Sequence, residues 1–116
     1  MALTPEDLAR AMRSLKQSAT YDFAKPGGAR TWTYENPKSA PACVVALTYA
    51  VQGGPFPVLA ATVAHEAVHV WQTHCDHIGE HQPGREQEAY AVEWITRTLL
   101  EEFERRTFVG PARKRP

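Results

Sequence analysis

The residues best equipped for chemistry in this 116-residue chain stand together as His65-Glu66-Ala67-Val68-His69. On a helix, side chains four apart share one face. Neutral imidazole nitrogens at His65 and His69 can therefore hold a single Zn²⁺, and Glu66, a third of a turn round, reaches water held by that metal. Zinc lowers the pKa of its water towards neutrality, and a neighbouring carboxylate can take the released proton, so the expected chemistry is hydrolysis with Glu66 as general base. A catalytic zinc uses three protein ligands and keeps one position for water, so a third donor must come from elsewhere in the chain.

The elements that must position these groups are readable in outline. The run from Pro57 to about Cys75 predicts the metal-bearing helix, with Ala60, Val63, Ala64, Ala67, Val70 and Trp71 on one apolar side and His65, His69 and Gln72 on the other. Upstream, Thr4, Pro5, Glu6 and Asp7 are start signals for a helix over about residues 5–17, with a stripe of Leu8, Ala11, Met12 and Leu15. Lys25-Pro26-Gly27-Gly28 breaks the chain, and Thr31-Trp32-Thr33-Tyr34 alternates as a short strand does before Pro37 and Pro41 interrupt. Cys43 to Val51, apolar and bounded by Pro41 and Gly53-Gly54-Pro55, predicts the main strand, lying beside the metal helix. After a loop at residues 77–84, a third helix is expected from near Arg85 to about Arg106, facing inward with Val92, Ile95, Leu99 and Phe103.

Candidates for the third ligand follow from spacing. A third histidine six residues after His69, with glycine at position three, would make a metzincin; those positions hold Cys75 and Gln72, and that pattern fails. His74 lies five residues after His69, and His77 and His81 stay possible ligands, but a loop histidine is more often simply solvated. Glu86 and Glu88 open the third helix after enough loop for the chain to reverse. On the helix wheel Glu88 lies nearer the inward stripe than Glu86 does.

With these residues in place, the chain resembles the gluzincins, HExxH peptidases whose third ligand is a glutamate on a following helix. Their second motif has the form Glu-x-x-Ala followed by Asp or Asn, and this chain reads Glu86-Gln87-Glu88-Ala89-Tyr90. The resemblance implies Glu86 as ligand, against the wheel's preference for Glu88, and the choice stays open. Tyr90 departs from the pattern, so the hydrogen bond that an Asp or Asn gives a ligand histidine must be made otherwise. The pattern over residues 57–103 is also similar to that of small phage- and prophage-encoded metallopeptidases. It implies an α+β, zincin-like domain of three helices and a short sheet, acting on peptide or protein substrates. In that family substrate lies extended along an edge strand, a role for Cys43 to Val51, and the oxyanion donor would be sought among Tyr90, His81 and His77.

Composition sets the frame. A chain of this length fits one domain, expected over 1–110, with a basic tail at 111–116 (Pro-Ala-Arg-Lys-Arg-Pro). Apolar residues make up 43%, charged residues 22%, and the formal net charge is zero, which gives no pull towards nucleic acid or membrane. Five basic residues after Glu104, with Phe108 the single aromatic among them, make a weak nucleic-acid patch. No run reads as a transmembrane helix, and Glu6 and Asp7 stand where a signal peptide would be basic, so the cytoplasm is the expected compartment. Cys43 and Cys75 are expected as reduced, small buried side chains. Trp32, Trp71 and Trp94 are expected as core or rim residues. The competing reading is a zincin-fold module that binds zinc or a protein and cleaves nothing; retention of Glu66 weighs against it, because a purely structural zinc has no use for a general base.

Overall fold

The computed structural model describes residues 1–36 and 39–107. Thr4 opens α1 (Pro5–Ser14): its Oγ1 accepts the Asp7 N–H at 3.1 Å, Pro5 sits at the first helical position, and Leu8 and Met12 form the buried side. The helix ends three residues sooner than expected, because Lys16 takes a left-handed conformation (φ 57°) and the Gln17 N–H reaches back to the Met12 carbonyl at 2.8 Å. That closure is usually given to glycine.

β1 (Ala29–Asn36) and β2 (Ser39–Leu47) pair antiparallel. The register sets Ala29 opposite Leu47, Thr31 opposite Val45 and Thr33 opposite Cys43 on one face. Arg30, Trp32 and Tyr34 share the other face with Ala46, Val44 and Ala42. Pro41 lies inside β2 and does not end it, because the register shifts between Tyr34 and Asn36 and the bulge spares a proline the ladder bond it cannot make. The strand expected to reach Val51 stops at Leu47. Thr48 starts a helical turn, α2 (Tyr49–Gln52), accepting the Val51 N–H on Oγ1 at 3.3 Å while donating to the Gly28 carbonyl at 3.1 Å. The β-forming character of Tyr49 and Val51 yields there to the cap and to the breaker that follows.

α3 (Phe56–Ile78) runs three residues past its expected end, so His77 and Ile78 are helical and the loop begins at Gly79, where the backbone turns left-handed; α4 (Arg85–Thr107) follows. The described residues thus hold four helices, not three, around a two-stranded sheet: a small α+β arrangement. The sheet is covered on both faces. Leu8, Met12 and Phe23 pack on Val44 and Ala46, and Val51, Leu59 and Val63 pack on Val45 and Leu47. Residues Val44 to Leu47 are therefore buried on either side, and full burial of a side chain such as Leu47 contributes about 1.5–3 kcal/mol. A parallel bridge from Ala2 to Ala46 covers the outer edge of β2, so β2 is the inner strand and β1, not β2, lies beside the histidine face of α3. α4 lies along α3 through Leu99, Leu100 and Phe103, all only half-buried. Cys43 and Cys75 are free thiols, half-buried and buried, and burial raises the pKa of both. No helix among the described residues is long and apolar enough to cross a membrane. The basic tail expected at 111–116 lies outside the described residues.

Candidate metal centre

α3 buries one residue in every four along its apolar side: Leu59, Val63, Ala67, Trp71 and Cys75. Glu66 stands at the margin of that arc, 4% exposed, between the apolar side and the histidines. Thr31 of β1 meets it there, donating from Oγ1 to Oε1 at 2.9 Å. A buried carboxylate needs such a donor, because it has left water behind. His65 and His69 emerge one step further round, both exposed.

Nε2 of His65 and Nε2 of His69 lie 3.2 Å apart, and Glu66 Oε2 is 3.8 Å from Nε2 of His65. Two nitrogens bound to one tetrahedral zinc at 2.0–2.1 Å would be separated by about 3.3–3.4 Å, so the pair has the spacing of neighbouring ligands. One donor atom from each of His65, Glu66 and His69 falls within 4.8 Å of the others, a set of two imidazoles and a carboxylate that suits zinc. The three groups open into a cleft of about 400 Å³ between α3 and β1. Ala29, Thr31 and Thr33 line it from the strand, and Thr73 and Asp76 continue its wall along the helix beyond His69. Arg30 adds a positive charge at the rim, its guanidinium held over the Trp32 ring at 5.0 Å. Among the described residues β1 pairs only with β2, so its other edge is free, and the face of β1 that carries Ala29, Thr31 and Thr33 lines this cleft.

The other sequence candidates stand apart from this set. Oε2 of Glu88 accepts the Trp71 indole N–H at 2.9 Å. Trp71 lies about 200° round α3 from His69, so this bond fixes the first turn of α4 on a different side of the helix from the histidines. Neither Glu86 nor Glu88 joins the His65–Glu66–His69 group or lines its cleft. His74 stacks on Trp71, with ring centroids 5.6 Å apart, and His77, His81 and Tyr90 are exposed outside the cleft. Trp71 is buried, Trp32 is half-buried, and Trp94 is exposed.

Sequence reasoning missed Thr31 and Arg30. The alternation of β1 carries half the signal, since it puts Thr31 and Thr33 on one face. The helix facing them could not be read from it. Comparison with protein-family models, with curated proteins and with solved structures finds no match to this chain.

Proposed function

We propose that this chain is a zinc-dependent peptidase whose metal is held by His65 and His69. The observation that carries the reading is the 3.2 Å separation of two Nε2 atoms beside a buried carboxylate, in a cleft lined by α3 and the outer strand β1. Zinc, when bound, would supply Lewis-acid polarisation of a carbonyl and acidify the water used for attack. Glu66 accepts that water's proton and returns it to the leaving amine, and its bond to Thr31 holds one carboxylate oxygen so that the other faces the histidines. The edge of β1 offers backbone groups to an extended peptide, replacing the strand expected at Cys43 to Val51 in this role.

Three carboxylates compete for the third protein position. Glu66 is the one near the pair, Glu88 is engaged by Trp71, and Glu86 is the one the gluzincin resemblance implies. Our proposal gives Glu66 the proton and Glu86 the metal, which requires the first turn of α4 to move towards the histidines. A second reading, a zinc-binding module without catalysis, is favoured by one observation: no α4 glutamate reaches the pair in the present arrangement.

The test is zinc content by elemental analysis on wild type, Glu66→Gln, His69→Ala, Glu86→Ala and Glu88→Ala, followed by cleavage of a peptide library with Glu66→Gln as control. One zinc per chain in wild type, Glu66→Gln and Glu88→Ala, lost in His69→Ala and Glu86→Ala, is the expected pattern. Zinc lost in Glu66→Gln instead makes Glu66 a ligand and removes the general base. Zinc bound but no cleavage above the Glu66→Gln control selects the second reading, and no zinc in wild type after reconstitution rejects both.

A further inference from the structure

α4 carries a second organised face, which the core does not use and which shares only Glu86 with the metal centre proposed above. Its inward side packs on α3, yet none of its 23 residues is buried. On the opposite side Glu86, Tyr90, Trp94, Arg97, Glu101 and Arg105 follow one another at steps of three or four, which places them in a single outward stripe. Tyr90 is 65% exposed and Trp94 59%, while the flanking Arg97, Glu101 and Arg105 side chains are exposed as well.

We propose that this stripe is the contact between two copies of the chain, joined by antiparallel pairing of α4 with its counterpart about a two-fold axis near Ile95 and Thr96. The argument is charge complementarity in register. In a two-fold contact each residue meets its mate twice. Centring the pair between residues 95 and 96 sets Glu86 against the second copy's Arg105, Tyr90 against its Glu101, and Trp94 against its Arg97. These are an ion pair, a hydroxyl-to-carboxylate hydrogen bond and a cation–π contact. Registers about a turn away lose this match. Shifts of four and three residues one way set Glu86 against Glu101 or Glu102; the other way, a shift of three sets Arg97 against its own copy, and a shift of four leaves Glu86 and Arg97 without charged mates. The stripe thus favours one alignment, its neighbours either clashing or losing the ion pair. A hetero-partner would not require this palindrome of signs. Arg97 lies against Glu101 of its own helix at 3.9 Å, an exposed contact worth little, so its guanidinium stays available to a second helix, whereas Arg105 is held by Glu102 through two bonds, at 3.1 Å and 2.7 Å, and offers a second helix only its remaining N–H groups.

The experiment is sedimentation equilibrium on the full chain at about 50 mM salt, over roughly 1–200 μM, with circular dichroism to confirm folding of each variant. EDTA is present throughout, so that a ligand role for Glu86 does not enter. Wild type is expected to dimerise. Trp94→Ala, Glu86→Arg and Arg105→Glu should each weaken the dimer by about tenfold or more, and Glu86→Arg combined with Arg105→Glu should restore it, because the reversal recreates both symmetric pairs. A wild type that stays monomeric over the whole range overturns the proposal. So does a dimer indifferent to Trp94→Ala, or one that the double reversal leaves as weak as the single ones.

Discussion

Thr31 Oγ1 and Glu66 Oε1, from the first strand and the long helix, are 2.9 Å apart, and this one hydrogen bond ties the sheet to the carboxylate beside both histidines. It is formed on the face of β1 that also carries Ala29 and Thr33, so the alternation of the strand and the periodicity of α3 converge on it. Replacement of Thr31 by Val keeps the shape and removes the donor. We expect a loss of about 1–3 kcal/mol, since a buried carboxylate is left without a partner, while Thr31→Ser should cost under about 1 kcal/mol. Urea unfolding decides it: equal stability of the Val and Ser variants would mean that Glu66 draws its stabilisation elsewhere.

The Trp71–Glu88 bond gives a complementary prediction. Glu88→Ala orphans a buried indole N–H and should lower stability by about 1–2 kcal/mol with zinc content unchanged, whereas Glu88→Gln retains an acceptor and should stay near wild type. Loss of zinc in Glu88→Ala with stability intact would reverse the assignment and make Glu88 the ligand.

Much of this was legible in the chain, for physical reasons that differ from element to element. The spacing of His65 and His69 is enough to bring two nitrogens together, because a helix fixes residues four apart without help from the rest of the fold. α1 was readable from Thr4 and Pro5, whose effects are local, and so was the loop ending in Pro83-Gly84. What failed was decided by competition or by distance. Tyr49 and Val51 favour a strand by their own propensity, and a cap formed by Thr48 with Gly28, twenty residues back, overrules them. The partner of Glu66 is 35 residues away in sequence, and no pattern within α3 names it. Glu88 showed the right residue type near the inward stripe, but which side of α3 that stripe meets depends on how two helices pack.

A pH dependence is expected at the opposite end of α4. Arg106 reaches across to the Met1 carbonyl and the Asp7 carboxylate, which also accepts the Leu3 N–H at 3.0 Å. Burial alone would raise the Asp7 carboxyl, but the Leu3 N–H and the Arg106 guanidinium outweigh it and hold the group below its ordinary value. A carboxyl depressed on folding adds stability that is complete above its unfolded pKa of about 4 and is lost as pH falls through the lower folded value. Arg106→Gln should therefore be less stable than wild type by about 1–2 kcal/mol near pH 7, and the gap should narrow below about pH 4. Denaturant midpoints measured from pH 7 to 3 give the comparison, and a gap that stays constant would show that Asp7 is not the group concerned.

The last prediction concerns how the chain leaves the histidine helix. Gly79 ends α3 with φ 72°, its N–H on the Asp76 carbonyl at 3.2 Å and the Glu80 N–H on the Cys75 carbonyl at 2.8 Å. A Cβ built on Gly79 meets nothing within 4 Å, so space is not the obstacle and only the left-handed backbone opposes a side chain. Gly79→Ala should then cost about 1–2 kcal/mol, and Gly79→Asn less, because asparagine tolerates that region better. The direction at which the chain leaves Gly79 also decides where the first turn of α4 begins, and hence whether Glu86 can approach His65 and His69. If Glu86 is a ligand, the alanine variant should bind zinc more weakly than the asparagine variant, in the same order as their stabilities. Equal zinc affinity across wild type, Ala and Asn, with the stability differences present, would show that the metal does not depend on the placement of α4.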